Sequence, residues 1–169
     1  MKRYTNTIFI LFVAILTVSA CKDSNKNNST NSASADISVS KDADTVKVEI
    51  NASDKMKYDR SKIDVYEGQT VVLTLHHTGK MSKETMGHNF VLLKDGISRR
   101  NFDKKAQKYK DNDYIPEDTK DVIAHTKLLS GGESDTVTFK APEVGAYDYL
   151  CTFPGHEPNM NGVFTVHKK

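Results

Sequence analysis

The chain has 169 residues, 37% of them hydrophobic and 27% charged, which suits one soluble domain with additional segments. Its net charge of +2 comes from a short basic start. Without Lys2 and Arg3 the 24 Lys and Arg fall level with the 22 Asp and Glu, and such a balance excludes nucleic acid as a partner.

The first twenty residues read as an export leader. Lys2 and Arg3 precede an apolar run from Ile8 to Val18, and Ser19-Ala20-Cys21 follows. The run is too short to span a bilayer comfortably. A cysteine at the cleavage point resembles the bacterial lipoprotein signal, so Cys21 is expected to carry lipid. A plain signal peptide or an uncleaved anchor is the alternative. The domain should then sit at the periplasmic face or on another cell-envelope membrane. Residues 21–43 are rich in Asn, Ser, Lys and Asp and read as a flexible tether, reaching roughly 25 Å on average.

From residue 44 to 169 the pattern is that of one β domain. Val46, Val48 and Ile50 alternate with polar residues, as do Ile63 and Val65. Further strand-like runs cover 70–76, 88–93, 122–129, 136–140, 146–151 and 162–167. Turn signals such as Glu67-Gly68, Asp95-Gly96, Gly131-Gly132 and Pro154-Gly155 separate them. Seven or eight short strands at this spacing predict an antiparallel sandwich or barrel. Residues 99–110 differ. Phe102, Ala106 and Tyr109 fall at helical spacing, with Ser98 or Asn101 as cap. This inserted helix lies in a basic stretch, 94–110, read as a solvated face or as a docking patch.

Chemistry concentrates near the C-terminus. "CTFPGHEPNM", residues 151–160, places Cys151, His156 and Met160 at Cys-x4-His-x3-Met spacing. If Cys21 carries lipid, Cys151 has no disulfide partner, and an unpaired thiol in an exported protein needs protection. A bound metal would provide it. Two His and one Cys with a weak axial Met make the blue-copper arrangement. Of the six histidines, His88 is the best second imidazole, because it opens an apolar strand directly after Gly87 in "MGHNF". His76, His77, His125 and His167 read as packed or surface histidines.

These strings resemble the azurins of the cupredoxin family. "TMGHNF" and "CTFPGHEPNMNG" match the azurin strings "VMGHNW" and "CTFPGHSALMKG", and "VIAHTKLLSGGESDTVTF", residues 122–139, is similar throughout. The resemblance implies an all-β, cupredoxin-like Greek-key fold and a single type 1 copper. It implies that His88, Cys151 and His156 hold copper in a near plane, with Met160 on one axis and the Gly87 carbonyl oxygen on the other. Asn89 would tie the two ligand segments together, and the Phe153 N–H would bond the thiolate. His77 would be a buried histidine near the site and His125 an exposed one. His156 would face outward as the electron exit, with Met86 and Pro158 around it as the docking face.

The function implied is a one-electron carrier, not an enzyme, and a monomer. Its partners would be redox proteins such as c-type cytochromes or a copper or haem reductase. A copper carrier or buffer is the alternative, though no Met- or His-rich tail favours it. A multicopper oxidase domain would need His-x-His pairs, and His76-His77 is adjacent instead. The chain departs from the azurins in three respects. It lacks their disulfide, costing ~2–4 kcal/mol of stability. Phe90 stands where azurins have Trp. Glu157 and Asn159 replace small or apolar residues and should make the docking face more polar.

Overall fold

The computed structural model describes residues 40–117 and 120–169. The expected leader, Cys21 and the tether as far as residue 39 lie outside them.

Nine strands occur among the described residues. They are β1 (Thr45–Ser53), β2 (Lys57–Tyr58), β3 (Lys62–Tyr66), β4 (Thr70–His77), β5 (Val91–Leu93), β6 (Val122–His125), β7 (Ser134–Lys140), β8 (Gly145–Leu150) and β9 (Asn161–His167). One sheet runs β2-β1-β4-β7 and the other β3-β9-β8-β5-β6. The expected antiparallel arrangement needs correction. β1 pairs with β4 in parallel, Val46 opposite Val71 and Ile50 opposite Leu75, and β3 pairs with β9 in parallel. Alternation along a strand is the same in both orientations, so the sequence pattern could not separate them.

The main core lies between the sheets. Val46, Val48, Ile50 and Ala52 of β1 and Val71, Leu73 and Leu75 of β4 face Ile63, Val65, Tyr147, Tyr149, Phe164 and Val166. All three β5 residues are buried, which alternation alone would not produce. The reason is a second core on the outer face of the five-stranded sheet. Leu92 joins the main core, whereas Val91 and Leu93 pack with Leu150 and Ile115 under a helix.

That helix, α2 (Arg99–Ala106), is the predicted one, buried through Phe102 and Ala106. Ser98 caps it, its side chain accepting from the Asn101 N–H at 3.4 Å. It stops before residue 110. A 3-10 turn, Lys110–Asn112, follows, and Asp113 and Tyr114 take positive φ of 52° and 59° to turn the chain inward. A further helix, α1 (Lys83–Met86), is a single turn without the periodicity that reveals longer helices. No described helix is long and apolar enough to cross a membrane.

Candidate metal centre

The end of β8 and the segment after α1 meet at one end of the sandwich. Cys151 follows Leu150 and shares the inward face of Tyr149. Its backbone N–H donates to the Met160 carbonyl at 2.9 Å, closing the loop 152–159 at the base of β9. The loop is built from turns. The His156 N–H donates to Phe153 O at 3.0 Å, and the N–H groups of Asn159 and Met160 donate to His156 O at 3.0 and 2.9 Å. Gly155 has φ +81°, a conformation that glycine adopts without cost. His88 is fixed from the other side by an isolated bridge to Leu129, with bonds of 3.2 and 2.8 Å.

The structure brings His88, Cys151 and His156 together. All three are buried, and their donor atoms lie within 4.8 Å of one another. Cys151 Sγ is 3.6 Å from His156 Nδ1 and 3.9 Å from the Gly87 carbonyl oxygen. His88 Nε2 donates to the Ser53 carbonyl at 3.0 Å, which leaves the other ring nitrogen as acceptor. That atom, His88 Nδ1, is the one buried side-chain nitrogen or oxygen without a hydrogen-bond partner among the described residues. A buried acceptor aimed at a thiol and a second imidazole is what a metal-holding group needs. The donor set therefore fits a soft or borderline cation.

Burial sets the protonation states. It pushes the Cys151 thiol up to about 12, while the Asn89 and Phe153 N–H groups pull less strongly the other way. Burial, reinforced by His77 and His156, brings His88 down to about 4. His156 also falls to about 4, by burial and then His77. Both imidazoles are neutral near pH 7 and available as donors. A metal held by Cys151 would displace the thiol proton, because coordination makes the thiolate the favoured form.

The surrounding residues hold these groups. Asn89 is fully buried and spans the two segments. Its Nδ2 donates to Asp113 O at 2.9 Å and Thr152 Oγ1 at 2.8 Å, and its Oδ1 accepts the Thr152 N–H at 2.9 Å. The Tyr58 hydroxyl donates to the Asn89 carbonyl. A side chain at Gly87 would force its neighbours to shift, since a Cβ would lie 2.6 Å from Lys83 O and 2.9 Å from Leu128. The Phe153 ring packs at a tilt against the His156 ring, with the centroids 4.7 Å apart. Met160 is wholly buried, Met86 is half-buried and Pro158 exposed. His77 is buried 4.3 Å from the His88 ring, yet both its nitrogens are used, by Met86 O at 2.8 Å and the Gly79 N–H at 3.1 Å. His125 is exposed.

Two expectations change. His156 lies on a surface loop but is only 2% exposed, because Phe153 and the loop turns cover it. Glu157 does not make the face polar. It is 5% exposed, and its carboxylate accepts from Arg99 Nε at 2.6 Å.

A model of copper-binding proteins of the plastocyanin/azurin family matches residues 44–167. The chain belongs to that family. Azurin-1 of Alcaligenes xylosoxydans xylosoxydans is 39% identical over 123 residues, which are 70% of this chain and 95% of that protein. Outer membrane protein H.8 of Neisseria gonorrhoeae is 36% identical over 69% of this chain and 65% of its own length. Among solved structures, an auracyanin from Roseiflexus castenholzii superposes with a TM-score of 0.66 at 35% identity, covering 72% of this chain and 96% of that one. The all-β cupredoxin fold is thereby established, and copper is the metal of the family.

Sequence reasoning missed several contributors to this cupredoxin site. The Ser53 and Met86 carbonyls are backbone atoms and leave no mark in the residue pattern. Tyr58 lies on the two-residue β2, too short to signal itself. Arg99 lay within the basic stretch already singled out, but its partner Glu157 is remote in the chain and nothing local connects them.

Proposed function

We propose that this cupredoxin is a one-electron carrier with a single copper ion held by His88 Nδ1, Cys151 Sγ and His156 Nδ1. Met160 and the Gly87 carbonyl would serve as weaker ligands. The observation that carries this reading is the unpartnered, buried His88 Nδ1 beside Cys151 and His156. Copper bound there supplies a Cu(I)/Cu(II) couple. The chain supplies what makes that couple fast. Ser53 and Leu129 hold His88, Asn89 holds the two segments together, and the N–H groups of Asn89 and Phe153 face the sulfur. Water is excluded by burial of all three donors, leaving no place for a substrate, so the reading is a carrier rather than an enzyme.

The docking face would be the rim around His156, with exposed Pro158 and half-buried Met86. Electron-transfer encounters need only small interfaces. The partners would be redox proteins such as c-type cytochromes or a copper or haem reductase, met by a monomer. The leader and Cys21 support export and lipid attachment at the cell envelope, and the likeness to a protein named outer membrane protein H.8 is in keeping with that. Radiolabelled palmitate incorporated by the native chain and lost in Cys21→Ala is the expected result, and equal labelling of both would refute the anchor.

The decisive experiment is the visible spectrum of the full-length protein in detergent with one equivalent of Cu(II). An intense blue band that bleaches with ascorbate and returns on re-oxidation is expected. A colourless protein, or one that loses metal on each cycle, would refute the carrier and favour copper delivery.

A further inference from the structure

Helix α2 touches the loop 152–160 at both ends. At its C-terminal end Gln107 Nε2 donates to the Thr152 carbonyl at 3.2 Å. At its N-terminal end Arg99 reaches across to the loop. Its Nε donates to Glu157 Oε1 at 2.6 Å and its Nη1 to Asn161 Oδ1 at 3.0 Å, with Asp148 Oδ1 at 3.9 Å. Asn161 Nδ2 in turn donates to the Glu157 carbonyl at 2.7 Å. The three residues form a closed clasp whose fixed end is the helix, itself locked by Phe102 and Ala106 in the second core.

We propose that Arg99 is a positioning residue for the ligand loop, holding His156 and Met160 in place from α2 whether or not metal is bound. This rests on reading those two residues as metal-holding groups. The physical grounds are three. Glu157 is buried directly after His156, and a buried carboxylate is held where its cation is. Hydrogen bonds between charged partners are about twice as strong as neutral ones, and the guanidinium fork fixes direction as well as distance. The loop's own bonds are local turns around Phe153 and His156, which can open one at a time unless something outside restrains them. The clasp also offsets the Glu157 charge beside the site.

The test uses Arg99→Met, Arg99→Lys, Glu157→Gln and the Arg99→Met/Glu157→Gln double variant of the full-length protein. The first readout is amide hydrogen exchange of metal-free protein. The N–H groups of His156, Asn159 and Met160 should exchange roughly ten-fold faster or more in Arg99→Met, while β4 amides keep their native rate. Arg99→Lys keeps the charge without the fork and should fall between. The second readout is reduction potential. Arg99→Met should lower it, since an uncompensated carboxylate favours the more highly charged ion. The double variant should restore it while the loop stays fast. Native loop exchange in Arg99→Met would overturn the proposal. If that variant also accelerates β4 and so unfolds globally, Arg99→Lys and Glu157→Gln decide: faster loop exchange against native β4 supports the clasp, and native loop exchange overturns it. Loosened loops in a protein that never turns blue would leave the clasp standing and defeat the copper assignment instead.

Discussion

Replacing Asn89 by alanine separates the holding of this site from its chemistry. The native side chain makes three hydrogen bonds, two donated to Asp113 O and Thr152 Oγ1 and one accepted from the Thr152 N–H, all of 2.8–2.9 Å. Each contributes about 1 kcal/mol net, and the Thr152 N–H left buried and unpaired adds about 1–3 kcal/mol. The expected loss is therefore about 4–6 kcal/mol, a large share of the roughly 5–15 kcal/mol that keeps a typical domain folded. With a urea slope of about 2 kcal/mol/M, the midpoint of metal-free protein should fall by about 2–3 M at unchanged slope. The backbone N–H of residue 89, which faces the sulfur, survives the substitution. The blue band should accordingly persist in the copper-loaded variant, with faster metal loss. A midpoint shift below about 0.5 M would refute the clamp role, and complete loss of colour in a folded variant would show that the side chain does more than hold.

Three further outcomes follow from the same geometry. Gly87→Ala should cost about 1–3 kcal/mol, because its Cβ meets the Lys83 backbone at 2.6 Å, where relief requires α1 to move; an unchanged melting temperature would contradict it. His88→Gln should abolish the blue band, whereas His77→Gln should keep it, since both His77 nitrogens are already engaged; the reverse pattern in the spectra would exchange their roles. Metal-free protein should lose stability as pH falls from about 6.5 towards 4. In that window the unfolded chain binds protons at His88 and His156 that the folded chain refuses, so stability rises with pH. Urea midpoints at pH 7 and pH 5 check this, and the pH dependence should flatten in His88→Gln.

What the residue pattern revealed and what it hid divide along physical lines. Alternation exposed β1 and β4 because each has one face in the core and one outside it. It overextended β5, where both sheet faces are covered and the run "HNFVLL" is buried throughout, so the three residues of true ladder look like six. At the site, ligand-type side chains declare themselves, and the spacing around Cys151 together with "MGHNF" pointed to three residues whose donor atoms the fold brings together. Beyond Asn89 and Phe153, which the resemblance named, the supports did not declare themselves. Carbonyls such as Ser53 O have no residue identity. A charged residue such as Glu157 reads as exposed until its cation is located, and Arg99 comes from the far side of the second core.

The placement of Cys151 links these supports to function. Tyr149 and Cys151 face the main core, while Leu150 between them faces α2. The sulfur therefore cannot shift along or across the sheet without disturbing packing on both sides. His88 is held by different elements, through Leu129 and Ser53, and the loop with His156 is clasped to α2 through Glu157. Three donors fixed from three directions lose their conformational freedom during folding, before any metal arrives. On the proposed reading, both oxidation states then meet the same donors in the same places. Little nuclear rearrangement would then accompany each electron, and the rate would be set by the approach of a partner to the rim around His156. The two cores bring this about, since a sheet covered on one face alone would leave α2, and with it Arg99, nothing to stand on.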